Sequence, residues 1–150
     1  LDTNYRALRR LVKRRGLQGV IFTDFVTDGE LKWLYENASA YVFPSLSEGF
    51  GLPGLEAMAH GCPVVSSNAT CLPEVYGDAA HYFDPEDVEG MAAKVSEVIT
   101  SEDLRKKLIA SGRNFDQSKD PPVGVEAGQD LVASDRDGLS ASDAALHLEE

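Results

Sequence analysis

Between residues 19 and 109, short apolar runs alternate with segments whose apolar residues recur at helical spacing. This alternation constrains the fold more than any other feature of the chain. Four runs read as strands: residues 19–23, residues 40–43 ended by Pro44, residues 63–66, and a short one at residues 81–83. Helical spacing surrounds them. Tyr5, Leu8, Leu11 and Val12 form one stripe, stopped by Gly16. Leu31, Leu34, Tyr35 and Ala38 form a second, for which Asp28 is the expected cap. A third helix begins near Pro53, carries Leu55, Met58 and Ala59, and ends at Gly61. Asp84, followed by Pro85, Glu86 and Asp87, reads as the cap of a helix bearing Val88, Met91, Ala92, Val95, Val98 and Ile99. Ser101 caps the last helix, with Leu104, Leu108 and Ile109. Strands separated by helices of this length pair in parallel through right-handed crossovers, so the expected fold is a doubly wound α/β sheet. Ligands of such sheets bind beyond the carboxyl ends of the strands.

The length of 150 residues suits one domain, and 43% hydrophobic with 26% charged residues allows a core. From Asp116 onward the pattern fades into Gly, Ser, Ala and Asp, and residues 116–150 read as a largely disordered tail, with a docked helix near residues 140–149 as the alternative. Of the net charge of -11, residues 1–115 contribute -4 and residues 116–150 contribute -7. That balance excludes nucleic acid as an expected partner, because phosphate neutralisation needs clustered cations. Cys62 and Cys71 lack metal-ligand spacing and read as a reduced pair. No apolar run approaches the roughly 20 residues of a membrane span, and no signal peptide is visible. The chain opens on a helical pattern at Leu1 without Met, which reads as a missing upstream portion.

The stretch that carries chemistry runs from Pro44 to Ala59. A buried strand ends, a glycine-bearing loop follows, and a helix starts. Free backbone N–H groups and the positive end of a helix dipole then face whatever sits above the sheet edge, and the natural guest is a diphosphate. Gly49 and Gly51 lack a Cβ, so the backbone there can approach phosphate and sugar closely. Glu48 in the loop and Glu56 about one turn into the helix, seven residues between them, can reach opposite ends of one extended ligand and accept hydrogen bonds from its hydroxyls.

Glu48 and Glu56, with Gly49, Phe50, Gly51, Leu52 and Pro53 between them, resemble the paired-glutamate signature of the retaining GT-B glycosyltransferases of family 4, the glycosyl transferases group 1. The similarity extends over residues 20–26, 31–35, 41–45, 56–59, 61–65, 72–75, 77–80 and 84–87, and covers roughly residues 3–115. It implies a Rossmann-like, C-terminal donor-binding domain over residues 1–115. Glu48 would be the catalytic carboxylate on the transferred sugar. Ser47 and the amides of Gly49, Phe50, Gly51 and Leu52 would contact sugar and diphosphate. Glu56 would hold the ribose, and Phe25 and Val26 would lie along the base. The donor would be a GDP-, UDP- or ADP-linked sugar acting as substrate, with no metal and no cofactor. The acceptor would be a glycan or lipid-linked molecule, and residues 72–80 lean toward mannosyltransferase-like members. The expected location is cytoplasmic.

The resemblance also implies what is missing. The first strand–helix unit, with an Arg and a Lys aimed at the diphosphate, would precede Leu1, as would the whole N-terminal domain that binds acceptor. One sheet edge would then be uncovered. Two alternatives follow: a truncated, non-catalytic binding or interaction module, and a GT-B epimerase or phosphorylase. His60 and His81 read as structural. Asp135, Arg136 and Asp137 resemble a GT-A metal motif by chance, lacking a flanking strand. Arg6, Arg9, Arg10, Lys13, Arg14 and Arg15 form a basic helix. Peripheral contact with the inner membrane face is open to such a helix, but its small apolar face is needed against the sheet, so a solvated structural face is the expectation.

Overall fold

A computed structural model describes residues 3–114. Helix α1 (Thr3–Arg15) leads to a segment without regular structure, then α2 (Asp28–Asn37), β1 (Tyr41–Phe43), α3 (Leu52–Ala59), β2 (Val64–Ser67), α4 (Leu72–Tyr76), a 3-10 turn (Gly77–Ala79), β3 (Ala80–Phe83), α5 (Val88–Thr100) and α6 (Glu102–Arg113). The sheet has the order β1-β2-β3 and is parallel throughout, with Tyr41 beside Val64 and Val64 beside Ala80.

Alternation along the strands divides the core between the two faces of the sheet. Tyr41, Phe43, Val64, Ala80 and Tyr82 face Tyr35 of α2, Ala57 and Met58 of α3, and Leu72 and Tyr76 of α4. Ala40, Val42, Val65 and Phe83 face Met91, Val95 and Val98 of α5 and Leu104 and Leu108 of α6. Helices on both faces of a parallel sheet make the expected doubly wound arrangement. Glycine closes two helices by the same device. Gly16 (φ 61) and Gly61 (φ 73) stand just past α1 and α3. The next amides, Leu17 and Cys62, reach back to Val12 O at 3.2 Å and Ala57 O at 2.9 Å.

Three expected strands form. Residues 19–23 do not: they carry no strand, and Val20 and Ile21 are exposed. The reason is the lack of a partner, since a strand exists only as part of a hydrogen-bonded ladder. No strand precedes residues 19–23 among the described residues, so their backbone has no ladder to join, and the outer edge of β1 is likewise unpaired. Helix α1 follows suit. It buries no side chain and does not pack on the sheet as expected. Its Tyr5 instead meets Phe22 edge-on at 5.5 Å, with the Arg9 guanidinium over both rings.

Two caps differ from expectation. Thr27, not Asp28, caps α2, because Glu30 returns the bond: the Thr27 hydroxyl accepts from Glu30 N while Glu30 Oε2 accepts from Thr27 N at 2.7 Å. Asp87, not Asp84, caps α5 by accepting from Gly90 N at 2.9 Å, while Asp84 accepts from Glu86 N and turns the chain ahead of the helix. Ser101 caps α6 as expected, accepting from Leu104 N. The readings of residues 115–150, including the tail and Asp135 to Asp137, lie outside the described residues.

Candidate functional site

All three strands run the same way, so the loops after β1 and β2 meet at one edge of the sheet. They are tied together there. The hydroxyl of buried Ser67, at the end of β2, donates to Ser45 O at 2.6 Å. Thr70 Oγ1 accepts from Glu48 N and donates to Glu48 O, both at 3.2 Å, and Cys71 Sγ lies 3.5 Å from the same carbonyl. Ser45 Oγ donates to Glu48 Oε1 at 2.8 Å. Among the described residues, Glu48 Oε2 has no hydrogen-bond partner and stays available to a ligand.

Helix α3 starts where the sequence indicates, one residue before Pro53. Its cap is Gly51 in the left-handed region (φ 82, ψ 38), with no side-chain cap bond. The Tyr76 hydroxyl donates to Gly51 O. A Cβ on Gly51 would overlap that hydroxyl and come within 2.5 Å of Leu72 Cδ2, and one on Gly54 would come within 2.5 Å of Tyr76 Cζ. Gly51 and Gly54 are thus required by the packing of a fully buried tyrosine. The open approach to a ligand expected at both loop glycines is left to Gly49, where a Cβ would meet nothing.

The consequence is a row of unused donors. Among the described residues, the amides of Gly49, Phe50, Gly51 and Leu52 have no acceptor. They precede the positive end of the α3 dipole, the arrangement that binds anions. The flanking carboxylates are half-buried at Glu48 and exposed at Glu56. Both act on one group. The Tyr41 phenol is raised well above its usual range by burial first, then by Tyr35, Glu56 and Glu48. Glu48 and Glu56 therefore lie within electrostatic reach of the same phenol. Ser47 and Leu52 are exposed, and Phe50 is half-buried.

Phe25 and Val26 are not brought to this edge by any hydrogen bond or ring contact among the described residues. Phe25 is 90% exposed. Both belong to the segment that has no ladder to fix it. The histidines have partners that the sequence did not reveal. His60 stacks on Tyr35 and sits 3.7 Å from Glu36 Oε1, and His81 Nε2 is 2.6 Å from Glu97 Oε2. His60 follows the carboxyl end of α3 and His81 lies within β3, so neither stands at the loop edge. Both cysteines are free. Burial pushes the Cys62 thiol up to about 11, which makes it unreactive. Among the described residues no three Asp, Glu, His or Cys side chains group as a metal site would need, and no helix is long and apolar enough to cross a membrane.

Three residues of the site escaped the sequence reading: Ser67, Thr70 and Tyr76. Residues 68–71 follow a strand, and the rule that ligands sit at strand ends could have brought Thr70 into view. Tyr76 gave no signal, because its contact with Gly51 spans 25 positions.

A parallel sheet with helices on both faces, and free amides at a helix start above its strand ends, defines a doubly wound α/β domain. Residues 3–115 match the family model of the glycosyl transferases group 1, and the chain belongs to that family. O-antigen chain mannosyltransferase B of Escherichia coli is 44% identical over 113 residues, which are 75% of this chain and 29% of that protein. The MMP alpha-(1->4)-mannosyltransferase of Mycolicibacterium hassiacum is 36% identical over 108 residues, 69% of this chain and 26% of that protein. The crystal structure of the C-terminal domain of a glycosyl transferase group 1 family protein from Francisella tularensis superposes with a TM-score of 0.67 at 32% identity, covering 79% of this chain and 63% of that one. The fold is thus that of the C-terminal half of the GT-B architecture. The chain spans under a third of the length of these mannosyltransferase relatives.

Proposed function

We propose that this chain is the donor-binding part of a glycosyltransferase that moves a hexose, by similarity mannose, from a nucleotide sugar to a glycan or lipid-linked acceptor with retention at the anomeric carbon. The observation that carries the reading is the row of four amides without acceptors, Gly49 to Leu52, beside the start of α3. A diphosphate laid there would meet N–H dipoles already in place. Negative charge grows on the leaving phosphate oxygen as the glycosidic bond breaks, so those dipoles stabilise the transition state more than the ground state. Glu48, with Oε2 free, is suited to accept from hydroxyls of the transferred sugar, and exposed Glu56 from those of the ribose. Each carboxylate must point away from the diphosphate it would repel. Phe25 and Val26 stay assigned to the base in this reading.

Acceptor binding is assigned to a part of the natural protein beyond these residues. We place the reaction in the cytoplasm, where the exposed cations of α1 are suited to meet an anionic membrane surface. One test is titration of the intact protein with UDP-, GDP- and ADP-sugars, followed by anomeric analysis of the product. Saturable binding by one of them, weakened by Glu56→Ala, is expected; no binding, or binding indifferent to that substitution, would sink the reading. The unpaired outer edge of β1 favours a second reading for the chain on its own, as a non-catalytic binding module. Sugar transfer by residues 1–150 alone would overturn it.

A further inference from the structure

We propose that Thr70 is a positioning residue that holds Glu48 in place for the transferred sugar; the proposal rests on the reading of Glu48 given above. Thr70 occupies the second position of a turn closed by Leu72 N–H to Ala69 O at 3.2 Å, and its φ is 51. That position ordinarily takes Gly, Asn or Asp, and a β-branched residue with positive φ is a rare outlier. Glycine would meet the backbone requirement without strain, so the turn itself does not explain a threonine.

The hydroxyl does. It accepts from the Glu48 amide and donates to the Glu48 carbonyl, so one side chain from the β2 loop fixes both backbone groups of a residue 22 positions away. Cys71 Sγ adds a weaker contact to the same carbonyl. The Glu48 side chain is fixed separately, by Ser45 at Oε1, and Ser45 is itself anchored through its carbonyl to buried Ser67. Among the described residues, Glu48 is therefore held at its amide, its carbonyl and one carboxylate oxygen, and only Oε2 is left to turn toward a guest. Strain kept at a residue that touches the loop edge, and nowhere else in that turn, is the pattern of a position selected for what it holds.

Thr70 meets the site through the backbone of Glu48, so its loss should act on the sugar and spare the diphosphate. The experiment compares the intact protein with Thr70→Val, which keeps shape and backbone but removes the hydroxyl, and with Thr70→Ser, which restores it. Calorimetric titrations use GDP-mannose against GDP, UDP-glucose against UDP, and ADP-glucose against ADP. For whichever pair the unaltered protein binds, Thr70→Val should weaken the sugar nucleotide about tenfold, leave the nucleoside diphosphate within about twofold, and Thr70→Ser should recover most of the loss. Equal affinity of Thr70→Val for the sugar nucleotide would overturn the proposal, and so would a parallel loss for both ligands, which marks a merely structural strap. If Thr70→Val does not fold, Thr70→Gly removes the same hydroxyl while relaxing the turn, and carries the same expectations. Absence of binding by the unaltered protein to every pair would instead remove the reading of the site on which the proposal stands.

Discussion

The two loop glycines should answer to different physics, and replacing each with alanine separates them. At Gly51 the new Cβ must sit in a left-handed backbone, which costs an L-residue roughly 1–2 kcal/mol. It must also enter space held by the Tyr76 hydroxyl and, 2.5 Å away, Leu72 Cδ2. Tyr76 is 1% exposed and Leu72 is fully buried, so neither can swing into solvent. Overpacking of this kind costs typically 1–3 kcal/mol. The alanine recovers about 0.4–1 kcal/mol by restricting the unfolded chain. Gly51→Ala should therefore lose about 1–5 kcal/mol, a drop in Tm on the order of 10 °C for a domain of this size. Gly49 has an ordinary φ and open space around it, so Gly49→Ala should change stability by less than about 0.5 kcal/mol. Urea unfolding of both variants, followed by circular dichroism, measures the contrast. Adding Tyr76→Phe to Gly51→Ala should return part of the loss, since the two sites share a contact. A Gly51→Ala protein within about 1 kcal/mol of the original, or equal losses at the two glycines, would refute the assignment of Gly51 to packing.

Two further predictions concern pH. Burial raises the phenols of Tyr41 and Tyr76 far above the usual 10.0 and pushes Tyr82 up to about 12, so the folded state keeps protons that the unfolded state releases. Stability should be complete below pH of about 10 and fall steeply above it, and Tyr76→Phe should flatten the alkaline limb of a Tm-against-pH curve; an unchanged slope would contradict the burial argument. Glu97 is held below the ordinary carboxylate range by its bond to His81 and then by Lys94. Its contribution is present above that range and lost as pH falls through the depressed value, so Glu97→Gln should remove part of the acid-side fall in Tm, and an identical acid limb would show the pair to be idle.

The pattern of residues 40–109 was readable because each element there is stabilised by neighbours that are themselves in the sequence window: Val42 and Val65 on one face, Phe43 and Val64 on the other. Residues 19–23 have an equally good strand composition, but a strand is a pairing, and among the described residues no ladder partner stands beside them. The cap of α2 was missed by one residue because Asp28 and Thr27 are both good capping types and only the returning Glu30 carboxylate decides between them. At the candidate site, the start of α3 and the placement of Glu48 before it and Glu56 within it were legible from spacing and from Pro53. Which glycine serves packing and which serves approach was not, because the answer depends on Tyr76, brought in from the far end of α4. The grip of Thr70 on Glu48 is hidden for the same reason.

The central claim is that an anion rests on the amides leading into α3. Backbone amide shifts in a nitrogen–proton NMR titration of the intact protein with a nucleoside diphosphate address it directly. The largest changes should fall on Gly49, Phe50, Gly51 and Leu52, moving downfield as their protons find an acceptor, and should saturate with the ligand. Saturable shifts that leave those four amides still and cluster elsewhere, such as on α5 or around His81, would contradict the account.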